Sequence, residues 1–111
     1  MKLNKEGYQK ARDLIEKNQY VLDSDWSEAQ PDNDRENEFL DDHGWDGYSQ
    51  WFLAIDDDAS SETKAHFNFP YGDFRRVHRD GLIAAKQRAA QNDYGDVQEA
   101  ADDLLKMIDD E

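Results

Sequence analysis

The side chains best suited to chemistry form a basic segment between positions 75 and 88. This segment follows a glycine-containing turn and extends into a predicted helix, and its basic residues are Arg75, Arg76, His78, Arg79, Lys86 and Arg88. Unpaired backbone N–H groups and the helix dipole make a helix N-terminus favourable for an anion, and nearby guanidinium groups add to this effect. The basic segment therefore indicates a phosphate or carboxylate ligand.

The distribution of charge gives a second interpretation of the basic segment. The formal net charge is −14; residues 21–64 contain 14 acidic against 2 basic side chains, whereas residues 74–90 contain 5 basic side chains against Asp80 alone. Basic side chains that fold against the acidic stretch would pair with its carboxylates and reduce self-repulsion. Internal pairing is the favoured interpretation, and an external anion is the alternative. The negative charge also argues against free nucleic acid and anionic membranes as partners.

Histidines and carboxylates show no assembled metal or catalytic pattern. Neutral imidazole is a common metal ligand and general base, but His43, His66 and His78 are not spaced as a helical ligand pair. The aspartates at 56–58 lack the spacing of a calcium-binding loop and are expected in a solvated turn. The chain has no Cys, and it lacks the common nucleophile and phosphate-loop motifs. We therefore predict no catalytic residue, no metal site and no cofactor.

Aromatic side chains supply most of the material for a hydrophobic core. They make up 12% of the residues, and each ring removes about 150–250 Å² from water when it is buried. Trp45 and Trp51 are expected in this core. Trp26 and Tyr71 lie in predicted loops, so we expect them at the surface, where aromatic side chains often anchor a partner.

The first half of the chain is predicted to be mainly helical. Asn4 is a suitable N-cap for a helix that ends near residue 17, although Gly7 lowers the helix propensity there. Residues 20–22 are β-prone and are followed by a loop. A second helix over 35–43 is expected to end at Gly44, because glycine favours the left-handed conformation of a C-cap. Residues 45–48 are expected to form an aromatic turn, with one more helical turn as the alternative.

The second half is predicted to contain a β-hairpin and two helices. Strands over 50–55 and 64–69 flank a loop of turn-forming residues, and Pro70 is expected to end the second strand because it cannot donate a ladder hydrogen bond. Asp80 is a suitable cap for a helix over 81–91. Asp96 and Glu99 have the spacing of a capping box at the start of the last helix.

These elements predict one small α+β domain over residues 1–111, with 109–111 frayed. A two- or three-stranded antiparallel sheet packs with about four helices, and the last two helices form a hairpin. No apolar run approaches the roughly 20 residues that cross a bilayer, and the N-terminus lacks the apolar segment of a signal peptide. We therefore expect a cytoplasmic protein.

One part of the sequence resembles a known group of proteins. The segments are FPYGDF at 69–74, VHR at 77–79 and GLIAAKQRAAQ at 81–91, together with DWSEA at 25–29 and HGW at 43–45. They resemble a group of small uncharacterised bacterial and archaeal proteins over residues 20–108, and this resemblance implies no activity or catalytic residue. A local likeness, limited to a strand that ends in Phe-Pro and two following helices, is to segments attached to phage head-maturation proteins.

Two functions are compatible with these observations. The absence of a catalytic motif and the opposed charge segments favour a non-enzymatic protein-binding or adaptor module. The alternative is a small anion- or phosphate-binding protein, or an enzyme, that uses residues 75–88. The candidate binding residues for either function are Arg75, Arg76, His78, Arg79, Trp26 and Tyr71.

Overall fold

A three-stranded antiparallel sheet with helices packed around it organises the computed structural model, which describes residues 1–110. The strands are β1 (Lys2–Leu3), β2 (Tyr20–Val21), β3 (Phe52–Ile55), β4 (Phe67–Pro70) and β5 (Val77–His78). The helices are α1 (Lys5–Glu16), α2 (Trp26–Ala29), α3 (Asn33–Ser49), α4 (Arg79–Gln91) and α5 (Gly95–Asp109). The prediction of a small α+β domain with an antiparallel sheet is confirmed.

The sheet has the strand order β1-β3-β4, and its centre is the predicted hairpin. β3 and β4 are antiparallel, with Ala54 opposite Asn68 and Phe52 opposite Pro70. The second strand begins later than predicted, because Lys64–His66 forms a 3₁₀ turn. In this turn His66 Nδ1 donates to the carbonyl oxygens of Asp56 (2.8 Å) and Ala59 (3.0 Å), which closes the loop that joins the strands.

A second, very small sheet brings distant parts of the chain together. β2 and β5 are parallel, with Tyr20 opposite Val77 and Val21 opposite His78. The loop that follows β2 therefore lies beside the start of α4, since parallel strands place their following segments at the same end. This arrangement positions the polar cluster described below.

Helix α3 differs from its predicted length. Gly44 has the expected positive φ, 71°, but the chain turns back into a helix after this kink and continues to Ser49 instead of ending. The reason is aromatic burial: Tyr48 is almost fully buried and packs on Phe52 (4.7 Å between ring centroids), and Trp45 stacks near Phe67 (6.0 Å). The second part of α3 thus covers the sheet.

The C-terminal helices form the predicted antiparallel pair. The small residues Ala85 and Ala89 of α4 are buried. The buried seam of α5 comprises Val97, Ala101, Leu104 and Ile108. Of the predicted frayed tail, Asp109 is the last residue of α5, and Glu111 lies outside the described residues.

Both predicted caps of these helices are wrong in detail. α4 begins at Arg79 with His78 as N-cap, and the Asp80 carboxylate instead accepts a hydrogen bond from the Ser24 N–H at 3.1 Å. α5 begins at Gly95, and Asp96 Oδ2 accepts from the Leu3 N–H at 2.9 Å. Asp80 thus bonds to a distant backbone donor and not to its own helix. Asp96 bonds to the distant Leu3 N–H and, through Oδ1, to the adjacent Val97 N–H at 2.8 Å.

The core is rich in aromatic rings, as predicted. Trp51 is buried and Trp45 is half-buried against the core. Tyr71 was expected at the surface and is fully buried; its ring stacks near Trp51 (5.7 Å) and its hydroxyl donates to the Gln50 carbonyl at 2.7 Å. The expected surface position of Tyr71 is therefore wrong. Within residues 1–110, no helix has the length and apolar character needed to span a bilayer.

Candidate functional site

A buried polar cluster forms where the β2 loop meets the start of α4. His78 is 4% exposed, and both of its ring nitrogens have partners. Nε2 lies 2.9 Å from Asp73 Oδ2, and Nδ1 lies 2.9 Å from Ser24 Oγ. A carboxylate only accepts hydrogen bonds, so Nε2 carries a proton; in the neutral ring, Nδ1 then accepts from the Ser24 hydroxyl. We call Ser24, Asp73, His78 and Asp80 the His78 cluster.

Asp73 is the most heavily bonded member of the cluster. Its Oδ1 accepts from the backbone N–H groups of Arg75 (3.0 Å) and Arg76 (2.8 Å), while Oδ2 bonds to His78. Desolvation alone would raise the pKa of Asp73, but the hydrogen bonds from His78 and from the two backbone N–H groups outweigh it and hold this pKa below its usual value. Asp73 is therefore an anion that fixes both the turn and the imidazole.

Trp26 covers the α4 N-terminus beside this cluster. Its ring centroid lies 5.6 Å from that of His78, and a Cβ added at Gly81 would lie 2.9–3.0 Å from the indole ring. Gly81 thus permits the indole to lie against the first turn of α4. Trp26 is half-buried, and it shields the end of the helix that the sequence suggested for an anion.

The hydrogen bonds from Ser24 through His78 to Asp73 join the same three residue types as a serine hydrolase triad. A hydrolase also needs N–H groups aimed at the developing oxyanion. The Ser24 N–H instead donates to Asp80, and Trp26 covers the nearby helix end. These contacts support a role for the His78 cluster in fastening the β2 loop to α4.

The basic side chains of the predicted site do not converge on one point. Arg79 pairs with Asp109 through two hydrogen bonds of 3.0 and 3.3 Å, and Lys86 pairs with Asp102 at 2.7 Å. Arg88 lies over the Phe69 ring, 5.5 Å from its centroid. The expected pairing with residues 21–64 is therefore wrong for Arg79 and Lys86, because α5 packs beside α4 and supplies their carboxylates.

Arg75 and Arg76 are exposed, and neither has an ion pair among residues 1–110. Replacing both by Ala is therefore expected to change the free energy of unfolding by only about 0.5 kcal/mol at 0.15 M salt. Urea denaturation of the double variant measures this change. A loss of several kcal/mol that disappears at high salt would contradict the exposed, unpaired positions of both guanidinium groups.

The sequence interpretation missed an aromatic groove beside α3. Phe39 stacks on His43 (4.2 Å) and on Phe74 (4.3 Å), and the groove has a volume of about 270 Å³. The groove is also lined by three carboxylates and two guanidinium groups, which belong to Glu38, Asp42, Asp73, Arg35 and Arg75. The i, i+4 spacing of Phe39 and His43 was a visible signal, whereas the contribution of Phe74 depends on its positive φ of 68° and on the fold.

Among residues 1–110, no group of three or more His, Asp or Glu side chains is arranged to hold a metal ion. The chain matches no protein-family model, no curated protein and no solved structure with which it was compared. The proposals below therefore depend on the residues of this chain.

Proposed function

We propose that this protein is a non-enzymatic binding module that docks a basic protein surface through α3. The observation that supports the proposal is a face of exposed and uncompensated carboxylates, which we call the acidic α3 surface: Asp34, Glu38, Asp41 and Asp42. Their spacing of four, seven and eight residues places them on one side of the helix.

Carboxylates greatly outnumber basic side chains in the part of the chain that contains this surface. Residues 23–46 contain ten carboxylates and one basic side chain, Arg35. Of these carboxylates, only Glu36 forms an ion pair within the described chain, with Lys64 at 3.5 Å. By contrast, Asp102 and Asp109 of α5 are each paired with a basic side chain. A large single-sign field of this kind steers an oppositely charged protein toward the surface.

The aromatic groove lies beside these carboxylates and adds an apolar contact area to the acidic α3 surface. Phe39 and His43 line the groove beside Glu38 and Asp42, and Phe74 stacks on Phe39. Aromatic rings surrounded by polar groups are the usual arrangement of a protein–protein contact. A basic side chain of the partner would lie beside this stack and pair with the carboxylate of Glu38 or Asp42.

Charge reversal tests the proposal. Affinity capture from the native organism is expected to recover a basic protein with wild-type bait and to lose it with the Glu38→Lys/Asp42→Lys variant. Capture is also expected to weaken strongly in 0.5 M salt, where the Debye length falls to about 4 Å. The bound proteins are identified and quantified by mass spectrometry.

A matched control distinguishes the effect of the acidic α3 surface from the effect of the changed net charge. Glu99 and Asp103 are likewise an exposed Glu/Asp pair spaced i, i+4, but they lie on α5. The Glu99→Lys/Asp103→Lys variant has the same net charge as the α3 variant and is expected to retain the partner. Equal loss in both variants, or undiminished capture by the α3 variant, would contradict docking through the acidic α3 surface.

A further inference from the structure

A cavity of about 710 Å³ lies at the N-terminus of α1, and it shares no lining residue with the His78 cluster or with the aromatic groove. Its wall includes the first turn of α1, the second part of α3 and the loop between β3 and β4. The chemical groups in this wall fall into three sets, which are hydrogen-bond donors, hydrogen-bond acceptors and apolar side chains. We call it the N-terminal cavity.

The donor set lies at the start of α1. Asn4 is the N-cap, but its side chain makes no cap hydrogen bond. The N–H groups of Lys5 and Glu6 consequently have no partner among residues 1–110. The exposed ammonium of Lys5 also borders the cavity and forms no ion pair within the described chain. Free helix N–H groups beside a cation favour a carboxylate.

Asn4 supplies an acceptor in a fixed orientation. The residue is 3% exposed, and its Nδ2 donates to the carbonyl oxygens of Ser49 (2.7 Å) and Phe52 (2.9 Å). Those two bonds determine which way the amide faces. The remaining atom, Oδ1, has no hydrogen-bond partner in the described chain, and Asn4 lines the cavity. This acceptor can therefore receive a hydrogen bond from a ligand that enters the cavity.

His66 supplies a second acceptor. Its Nδ1 faces two carbonyl oxygens, which only accept, so Nδ1 carries the proton. In the neutral ring Nε2 is then a lone-pair acceptor, and His66 lines the cavity. The carboxylates of Glu6, Asp46 and Glu62 border the same space and favour a positively charged donor. A ligand ammonium group suits a wall with these acceptors.

The third set is apolar. Trp45, Phe67, Ile55 and Leu3 line the cavity, and the rings of Trp45 and Phe67 lie nearly parallel at 22°. An apolar side chain of a ligand would be removed from water against these rings. One wall thus favours a carboxylate, another an ammonium and a third a hydrocarbon group.

We propose that the N-terminal cavity binds a free α-amino acid with an aromatic or large aliphatic side chain. The α-carboxylate binds the free N–H groups of Lys5 and Glu6 and the Lys5 ammonium. The α-ammonium donates to Asn4 Oδ1, and the side chain packs on Trp45. This site is independent of the acidic α3 surface and does not depend on the proposed function.

A titration of the isotope-labelled full chain with L-phenylalanine tests the proposal by NMR. Saturable shifts are expected at the backbone amides of Lys5 and Glu6, the Asn4 side-chain amide and the Trp45 indole, with a dissociation constant of about 1 mM or below. Phenethylamine lacks the carboxylate and 3-phenylpropionate lacks the ammonium, so each is expected to bind at least about tenfold more weakly. L-Leucine is expected to shift the same resonances.

A charge reversal at the cavity provides a second test of amino-acid binding. Lys5→Glu places a carboxylate in the first turn of α1, where it suits the helix dipole and preserves the fold, and it is expected to weaken L-phenylalanine binding at least about tenfold. Lys17→Glu makes the same charge change at the other end of α1 and is expected to leave binding unchanged. Absence of saturable shifts up to 10 mM, about ten times the expected dissociation constant, would overturn the proposal. Equal affinity for phenethylamine, 3-phenylpropionate and L-phenylalanine, or equal weakening by both variants, would also overturn it.

Discussion

Replacing Gly7 by Ala is expected to destabilise the domain by about 3 kcal/mol or more, because overpacking against backbone leaves little room for relaxation. A Cβ at this position would lie 1.9 Å from the Phe52 carbonyl oxygen and 2.9 Å from the carbonyl carbon. The overlap is with the main chain of β3, the central strand, so no side chain can rotate away. Helix α1 would have to move off the sheet, exposing Ala11 and Ile15, which are both fully buried.

Helix propensity alone predicts the opposite effect of Gly7→Ala on stability. Ala is favoured over Gly in a helix interior by about 1 kcal/mol, so an exposed Gly7 would be improved by the change. Gly95 is the matched control: it lies at the start of α5, and a Cβ there meets nothing within 4 Å. Gly95→Ala is expected to be neutral or slightly stabilising. Urea denaturation of both variants decides the point, and a Gly7→Ala protein as stable as wild type would contradict the close approach of α1 to β3.

The sequence alone predicted those helices and strands whose hydrophobic pattern depends only on neighbouring residues. The pattern at 4–17 predicted α1 to within one residue at each end, and the seam of Val97, Ala101 and Leu104 predicted the buried face of α5. Alternation in Phe67 and Phe69 predicted the buried face of β4. In each case hydrophobic spacing reports directly which side of one element is buried, so no knowledge of neighbouring elements is required.

Features that depend on distant contacts were not predictable in the same way. Glycine at 44 indicated the end of a helix, but burial of Tyr48 against Phe52 returned the chain to helix. Tyr71 follows a proline and precedes a glycine, which is typical of an exposed turn, yet its ring packs near Trp51. Asp80 was expected to cap its own helix and instead bonds to the Ser24 N–H. Each difference reflects tertiary contacts that outweigh local preference.

The candidate site also combines features visible in the sequence with features that depend on distant contacts. The basic segment was visible in the sequence, whereas the α5 carboxylates that pair with Arg79 and Lys86 depend on how two helices pack. Ser24 and His78 are separated by 54 positions and meet because β2 pairs with β5. Two-residue strands have too little periodicity to reveal such a pairing.

Asp73→Asn is expected to destabilise the domain by about 1–3 kcal/mol at pH 7, the usual effect of weakening a charge-assisted hydrogen-bond network that is largely buried. The amide keeps the shape of the carboxylate and one acceptor for the turn. It loses the negative charge that holds the imidazole between Asp73 and Ser24. The free energies of unfolding of wild type and variant, measured from pH 7 to pH 3, give the size of this effect and its pH dependence.

The sign of the pH dependence follows from the lowered pKa of Asp73. A carboxyl whose pKa is lower in the folded state than in the unfolded chain stabilises the fold above its unfolded pKa of about 4, and this contribution is lost as the pH falls through the folded value. The stability difference between wild type and Asp73→Asn should thus be largest at neutral pH and shrink toward pH 3. Asp109→Asn is the control, because the pKa of Asp109 is also lowered, by Arg79, but at an exposed ion pair whose contribution is much smaller. A difference that stays constant from pH 7 to pH 3 would show that the charge of Asp73 does not stabilise the His78 cluster.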